Sequence, residues 1–190
     1  MRIVGGDFRG RALVAPSGRE TRPTADRLRQ TIFDILAHGG HGDVLRGARV
    51  LDLFAGTGAL GLEALSRGAA YALFVEEAVA ARGAIRSNIE ALGLTGRTRV
   101  FRRDATKLGP AGTVTPFTLA FADPPYGKGL GEQALASALA GGWLAPGALI
   151  VVEEAAAAEI GAIAGFDLVE TRKVADTQIV FLRASAASTG

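Results

Sequence analysis

The chain has 190 residues, a formal net charge of +2 and 48% hydrophobic residues, which suits a single domain with a full apolar core. It contains no cysteine, which excludes disulfides, thiolate zinc sites and cysteine nucleophiles. Much of the apolar content is alanine, and no window reaches the roughly 20 uninterrupted apolar residues that a membrane span requires. Early charges at Arg2 and Asp7 argue against a signal peptide, so we expect a cytoplasmic protein without a membrane or metal partner.

Residues 2–15 predict a short hairpin or extended arm, and the turn residues 16–18 end it. The first 30 residues hold seven arginines against three acidic residues. Arginine binds phosphate oxygens through paired N–H donors and stacks on bases, so this cluster favours an RNA-facing surface. A genomic preference for arginine is the alternative, because the chain has 18 arginines and only three lysines. We predict RNA contacts from Arg9, Arg11, Arg22, Arg27 and Lys128.

Residues 24–37 predict an amphipathic helix, since the apolar side chains Leu28, Ile32 and Leu36 recur on one face. A glycine-rich linker follows at residues 39–42, and His38 and His41 are expected to be solvated there. We expect residues 1–40 to form an RNA-contacting extension, residues 41–184 the main domain, and residues 185–190 a frayed tail.

The segment from residue 50 to residue 58, VLDLFAGTG, predicts a buried strand that runs into a glycine loop, and residues 59–67 predict the helix that follows. Glycines at 56 and 58 let the backbone approach a ligand closely, while the helix N-terminus offers free N–H groups. The pattern predicts a nucleotide-binding cradle built from Asp52, Phe54, Ala55, Gly56, Thr57 and Gly58.

A second strand at residues 71–75 ends in Glu76, which lies 20 positions after Gly56, where a carboxylate can bind ribose hydroxyls. The residues from 56 to 61 also satisfy the pattern GxGxxG, which makes an NAD-dependent oxidoreductase the competing interpretation. Asp52 argues against it, because a carboxylate there would face a pyrophosphate unfavourably. The same carboxylate suits a ligand that carries an ammonium and a sulfonium, such as S-adenosylmethionine.

A helix at residues 78–92 and a short strand at residues 99–103 come next, and the strand closes on Asp104. Asp104, with Ala105 beside it, is a candidate for contact with the adenine amino group of the cofactor. The alternative is that Asp104 only caps the turn that follows, which is a common role for aspartate.

The apolar run at residues 117–122 leads into the tetrapeptide Asp123-Pro124-Pro125-Tyr126, which predicts an amino-methylating site. The lone pair of an exocyclic amine is delocalised into the base, so an enzyme must orient that nitrogen. Asp123 and the Pro124 carbonyl would accept its two N–H groups, the fixed proline φ angles would hold the carbonyl, and Tyr126 would stack on the base. A plain proline turn is the alternative.

The carboxyl ends of parallel strands share one edge of a sheet, so the acidic residues that follow four of the predicted strands would line a single crevice. Beyond them, we predict a helix at residues 135–144, a strand at residues 147–153, and two strands at residues 166–172 and 178–183. The last pair is expected to include an antiparallel edge strand.

Two N-terminal stretches, RIVGGDFRGR at residues 2–11 and RPTADRLRQTIF at residues 22–33, resemble the RsmD-type 16S ribosomal RNA guanine-N2 methyltransferases, as do the glycine loop and the Asp-Pro-Pro-Tyr turn. The resemblance spans nearly the whole chain. It implies an α/β fold of the class I (Rossmann-like) S-adenosylmethionine-dependent methyltransferases, with a seven-stranded, mostly parallel sheet and helices on both faces. Ala175 stands where such proteins usually carry a glycine.

The resemblance also implies methylation of a guanine N2 in 16S rRNA, as free RNA or within an assembly particle. Nothing in the sequence demands more than a monomer, so we expect one. The catalytic group would be Asp123, Pro124, Pro125 and Tyr126. The same turn chemistry fits adenine N6 or a glutamine amide as the acceptor. A non-catalytic RNA-binding assembly factor is a further alternative.

Overall fold

The computed structural model describes residues 1–16 and 23–186. Within these ranges seven strands form one sheet, and four α-helices connect or flank them. In chain order the elements are α1 (Pro23–His38), β1 (Arg49–Leu53), α2 (Ala59–Ser66), β2 (Tyr71–Val75), α3 (Val79–Ala91), β3 (Thr98–Phe101), β4 (Phe117–Ala122), α4 (Leu130–Ala140), β5 (Leu144–Ala155), β6 (Phe166–Val174) and β7 (Thr177–Ala184). No helix in this part of the chain is long and apolar enough to cross a bilayer.

The strands lie in the order β3-β2-β1-β4-β5-β7-β6. The first five pair in parallel, and β7 runs antiparallel to both of its neighbours. Strand order reverses between β1 and β4, which is where open α/β sheets place their ligands. The expected fold class is confirmed: the sheet has seven strands and is mostly parallel.

The last two strands form an antiparallel hairpin that includes an edge strand, as predicted. Strand β7 is interior, between β5 and β6, and β6 forms the edge. The burial of the two strands gives the physical reason, since residues 178–182 of β7 are all buried whereas most of β6 is exposed. A continuous apolar run such as Ile179–Leu182 needs cover on both faces, while the polar sequence of β6 tolerates an edge.

Apolar residues fill both faces of the sheet. One core contains side chains of α1, α2 and α3 together with Ile3 and Leu13 of the N-terminal arm. The other contains Leu135 of α4 and Trp143 against the opposite face. Helices therefore cover both faces, as expected. The arm and α1 share the first core with the sheet, while the functional division between residues 1–40 and 41–184 stays a prediction.

The N-terminal arm is fixed to α2 by a buried carboxylate. Glu63 is fully buried and accepts hydrogen bonds from the backbone N–H groups of Val4 at 2.9 Å and Gly5 at 2.8 Å. Arg29 and Arg67 add ion pairs to it at 3.3 and 2.9 Å. The arm itself is hairpin-like, as predicted, with an antiparallel bridge between Arg2 and Ala12.

Helix α4 begins five residues earlier than residues 135–144 predicted, and it ends at Ala140. The glycines at 127, 129 and 131 suggested a loop. Gly129 instead adopts the left-handed conformation that caps the start of the helix, and the pair Gly141-Gly142 ends it. The early start brings Leu130 next to the Asp-Pro-Pro-Tyr turn.

The prediction of a solvated side chain was wrong for His41. Its side chain is 4% exposed, stacks on Phe181 with ring centroids 5.2 Å apart, and lies 3.0 Å from a carboxylate oxygen of Glu170. Both partners come from the C-terminal hairpin, about 130 residues away in the chain. His38 is exposed, as expected.

Candidate active site

The carboxyl ends of the central strands border an open cleft of about 580 Å³, a volume within the usual range of small-ligand sites. Six residues assigned from the sequence line it, namely Phe54, Glu76, Asp104, Asp123, Pro124 and Pro125. Sequence reasoning missed three others, Glu77, Thr106 and Leu130. Glu77 and Thr106 each follow closely on a predicted strand end, so their position in the chain was a usable signal.

The loop between β1 and α2 has a left-handed backbone at three positions. Gly56 and Gly58 have φ values of 59° and 79°, and Phe54, which lines the cleft, has a φ of 58°. A left-handed conformation is costly for a bulky residue and is found mainly where the surrounding structure enforces it, often at binding sites. A Cβ atom on Gly58 would come within 3.2 Å of the Phe74 ring, so close packing also favours glycine there.

Asp52 lies behind the glycine loop. It is 1% exposed, and its Oδ2 accepts a hydrogen bond from the Gly61 N–H at 2.9 Å. Burial is the main cause that raises its pKa well above the ordinary value of 3.8. A Cβ on Gly61 would meet the Phe74 ring at 2.5 Å, so the third glycine of the pattern allows α2 to approach β1 and β2. Direct contact between Asp52 and a ligand stays a prediction.

Glu76 ties two elements together at the edge of the cleft. Its Oε2 accepts from the Gly56 N–H at 2.8 Å, and its Oε1 accepts from the Ala78 N–H at 2.9 Å, at the start of α3. Each carboxylate oxygen has a second lone pair, so the side chain can still accept hydrogen bonds from hydroxyl groups in the cleft.

Asp104 both caps a turn and lines the cleft. Its Oδ1 accepts from the Thr106 hydroxyl at 2.7 Å and from the Thr106 N–H at 2.8 Å, at the start of a short 3₁₀ turn. These bonds, the hydroxyl first, hold the pKa of Asp104 below its ordinary value. The capping alternative is therefore confirmed, and contact with an adenine amino group stays a prediction.

Six of the nine residues assigned to the cofactor do not line the cleft, namely Asp52, Ala55, Gly56, Thr57, Gly58 and Ala105. The Ala55 N–H donates to the Val75 carbonyl at 3.1 Å, which joins the loop to β2. The Thr57 hydroxyl lies 3.3 Å from the sulfur of Met1, and Ala105 is buried. The contacts of these six residues with a cofactor stay predictions.

The Asp-Pro-Pro-Tyr turn follows β4 directly. Asp123, Pro125 and Tyr126 are exposed, whereas Pro124 is buried. The Tyr126 hydroxyl lies 3.5 Å from that of Thr177 in β7, and partial burial raises the pKa of Tyr126 to about 12. Tyr126 does not line the cleft itself; it stands at its mouth as a neutral phenol.

Buried acids support the turn from behind. The Glu154 side chain accepts a hydrogen bond from the Gly127 N–H at 3.0 Å, where Gly127 has a φ of 75°. Glu153 is 7% exposed, and burial followed by the charges of Asp123 and Asp52 raises its pKa well above 4.5. Arg29 opposes that increase. The acids of β1, β4 and β5 thus interact across one edge of the sheet.

The predicted RNA-contacting residues do not lie together. Arg11 donates to the carbonyl of Ala91, where α3 ends, and residue 7 bonds to the carbonyl of Ser66, where α2 ends. Both helices begin at the cleft edge, so this part of the arm, with Arg9 and Arg11, lies at the opposite edge. Arg27 on α1 and Lys128 after the turn are exposed. Arg22 lies outside the described residues.

Within the described ranges, no group of His, Cys, Asp or Glu side chains has the arrangement of a metal site. The cleft contains carboxylates, a proline turn and apolar walls, a set that suits an organic ligand with hydroxyl and amino groups.

A profile of the family described as Conserved hypothetical protein 95 matches residues 1–183. The chain is 44% identical over 154 residues to the ribosomal RNA small subunit methyltransferase D of Escherichia coli strain K12, covering 80% of this chain and 74% of that protein. It is 41% identical over 128 residues to the putative rRNA methyltransferase YlbH of Bacillus subtilis, covering 66% and 67% respectively. A solved structure, the putative methyltransferase yhhF from Escherichia coli, has a TM-score of 0.82 at 36% identity and 98% coverage of both chains.

Proposed function

We propose that this chain, which belongs to the Conserved hypothetical protein 95 family of S-adenosylmethionine-dependent methyltransferases, methylates the exocyclic N2 of a guanine in small-subunit rRNA. The observation that carries the proposal is the position of the Asp-Pro-Pro-Tyr turn. Asp123 and Pro124 line the same cleft as Glu76 and Asp104, so the residues proposed to orient the amine and those proposed to bind the nucleotide face one space.

The residues of the cleft fit S-adenosylmethionine, which when bound supplies an electrophilic methyl group on a sulfonium. Glu76 would accept hydrogen bonds from the ribose hydroxyls, because the Gly56 and Ala78 amides already fix its orientation. Asp104 would accept from the adenine amino group, and its lowered pKa keeps it ionised for that role. The apolar side chain of Phe54 would form part of the wall.

Asp123 and the Pro124 carbonyl would hold the guanine amino group. Pro124 is buried and its φ is fixed by its ring, so its carbonyl is a rigid acceptor. With both N–H groups engaged, the nitrogen lone pair is directed out of the base plane. Alignment of this kind supplies much of the rate enhancement in group transfer.

The carboxylate of Asp123 would also stabilise the positive charge that develops on the nitrogen during transfer. The nitrogen must then lose one proton, and Asp123 is the nearest group assigned to accept or relay it. Tyr126 would stack on the base as a neutral phenol, since its pKa of about 12 keeps its proton in place at physiological pH.

The substrate base must leave its stack to enter the cleft, which costs least for an unpaired nucleotide. We therefore propose an unpaired or loop guanine of 16S rRNA as the target, read either in free RNA or in an assembly particle. An rRNA substrate places the enzyme in the cytoplasm, and a monomer is sufficient for the site as described.

The decisive experiment is transfer of labelled methyl from S-adenosylmethionine to small-subunit rRNA and to its assembly particles, followed by nucleoside digestion. The proposal expects label in N2-methylguanosine with the wild-type protein and none with Asp123→Ala. Label in N6-methyladenosine would overturn the acceptor assignment. Cofactor binding without label on any RNA would favour a protein acceptor or a non-catalytic assembly factor.

A further inference from the structure

We propose that the basic side chains of strand β3 and of the segment that directly follows it form a second RNA-docking surface, which holds the phosphate backbone of the rRNA beside the cleft. This surface, called the basic edge below, consists of Arg99, Arg102, Arg103 and Lys107. The inference rests on the proposed function, because it names the surface that binds the same RNA substrate. This surface is a different part of the molecule from the arginines of the N-terminal arm.

The first observation is a local excess of unpaired positive charge. All four side chains of the basic edge are exposed, and Asp104 is the only acidic residue between positions 91 and 122. In the described part of the chain none of the four forms an ion pair with a carboxylate. By contrast, Arg29 and Arg67 are paired with Glu63. Positive charges that have no carboxylate partner are available to phosphate oxygens.

The second observation is an aromatic core within the charged surface. The guanidinium of Arg99 lies 4.7 Å from the centroid of the Phe101 ring, and that of Arg103 lies 5.2 Å from it. Arg103 is also 5.7 Å from the Trp143 ring and donates a hydrogen bond to the Leu108 carbonyl at 2.7 Å. Stacking on a ring holds a guanidinium in place while its N–H donors remain available, so these arginines are partly pre-ordered for binding.

The third observation is the position of the surface. Strand β3 lies at one end of the strand order and pairs only with β2 in the described ranges. The basic edge continues from β3 through Asp104 to Lys107, and Asp104 and Thr106 line the cleft. An RNA strand held along this edge would therefore reach the cleft without crossing the sheet. Basic residues on an edge strand also deter pairing with another chain, but Arg102, Arg103 and Lys107 lie beyond the strand, where that role does not apply.

The chain contains three lysines, and each reports on a different surface. Lys107 lies on the basic edge, Lys128 lies beside the catalytic turn, and Lys173 lies on β6 at the opposite edge of the sheet. All three are exposed, so an amine-acetylating reagent should modify each of them in the free wild-type protein. Acetylation with and without saturating small-subunit rRNA, read by mass spectrometry, then maps the RNA on the intact molecule.

We expect rRNA to slow acetylation of Lys107 and Lys128 at least fivefold and to leave Lys173 within twofold of its free rate. Protection of Lys128 alone would overturn the basic edge and leave the proposed function standing. Equal protection of Lys107 and Lys173 would indicate indiscriminate coating and would also overturn it. No protection at any lysine, at an RNA concentration that saturates binding, would count against both proposals.

A variant pair gives an independent measure. Arg99→Gln with Arg102→Gln should lower the slope of log Kd for rRNA against log salt by about 1.4 to 1.8, since each phosphate contact contributes about 0.7 to 0.9. The matched control, Arg46→Gln with Arg172→Gln, removes two exposed arginines elsewhere and should keep the wild-type slope. Arg99→Lys with Arg102→Lys should also keep it, because the charge is retained. A wild-type slope in the glutamine pair would overturn the proposal.

Discussion

The two halves of the cleft differ in how far the protein itself fixes them. On the side of β1, β2 and β3, the carboxylates of Asp52, Glu76 and Asp104 each accept a hydrogen bond from a backbone N–H. On the side of β4, the turn from Asp123 to Lys128 is exposed except at Pro124, and its tyrosine has only a long 3.5 Å contact with Thr177. The first half is therefore pre-formed, whereas the second is supported from behind at Gly127, by the buried Glu154, and is more exposed to solvent.

This difference matches the two proposed ligands. A small cofactor gains affinity from a site that is ordered beforehand, because little conformational entropy is lost on binding. A base that is turned out of a large RNA brings its own anchoring contacts, so an open turn can receive it. Substitutions in the two halves should therefore separate cofactor affinity from methyl transfer. Of four predictions, taken from the largest expected effect to the smallest, the first two test that separation and the last two test the stability of the structure around the turn.

Replacement of Asp123 by alanine should lower kcat for methyl transfer by about 10²–10³-fold, the usual cost of removing one group that stabilises charge in a transition state. The Kd for S-adenosylmethionine, measured by calorimetry, should stay within about twofold, because the pre-formed half is untouched. A large loss of cofactor affinity would instead make Asp123 part of the cofactor site and would remove the distinction between the halves.

Replacement of Glu76 by alanine should do the reverse. Loss of hydrogen bonds to a charged group costs about 1.5–3 kcal/mol, so the cofactor Kd should rise by about 10–100-fold. At saturating cofactor the value of kcat should change little. The exposed Glu90→Ala on α3 is the control and should bind the cofactor as the wild type does. Unchanged affinity in Glu76→Ala would show that its only role is to join the loop to α3.

Glu153 should make stability depend on pH. Its native pKa is raised by burial, so between the unfolded value near 4.5 and the raised native value the native state holds a proton that the unfolded state has lost. Stability therefore falls as pH rises through that window, by about 1.4 kcal/mol for each pH unit. Glu153→Gln should remove the loss of stability that Glu153 causes as pH rises. The Tm of the variant minus that of the wild type should therefore increase from pH 5 to pH 8.

The exposed Glu159→Gln is the matched control, and its Tm should follow that of the wild type across the range. A parallel pH profile for Glu153→Gln would mean that Glu153 is ionised in the native protein. Arg29 would then have to compensate for the charge of Glu153.

The smallest effect is expected at Ala175, in the hairpin turn next to Thr177. Its φ is 52°, a left-handed conformation that glycine adopts without strain and alanine does not. Ala175→Gly should stabilise the protein by about 0.5–1 kcal/mol and raise Tm by about 2–4 °C. Cofactor affinity should not change. A lower Tm would mean that two effects of alanine differ in size. Its restriction of the unfolded chain would stabilise the protein more than its strained backbone in the turn destabilises it.

The elements that depend on local patterns were predictable. Continuous apolar runs identified β1, β2 and β4, because strands buried on both faces carry such runs. The acid that follows each strand then located Glu76, Asp104 and Asp123 at the cleft edge. The positive φ of Ala175 agrees with the glycine that the resemblance implies at that position.

Features that depend on contacts distant in sequence were not predictable. The burial of His41 is set by Phe181 and Glu170, and nothing near position 41 indicates it. The Asp52 carboxylate is engaged by Gly61 because α2 packs closely on the sheet, a fact that spacing alone does not give. Arg9 and Arg11 looked like part of an RNA-binding cluster, yet the fold of the arm carries them to the edge away from the cleft.

The buried carboxylate of Glu63 has a consequence for the order of events during biosynthesis. Val4 precedes it by 59 residues and Gly5 by 58, so neither amide can find its native partner until α2 has been translated. Translation adds about 5–20 residues per second, which leaves Val4 and Gly5 without their anchor for several seconds. The arm must therefore wait for a helix that is made after it before it reaches its native position.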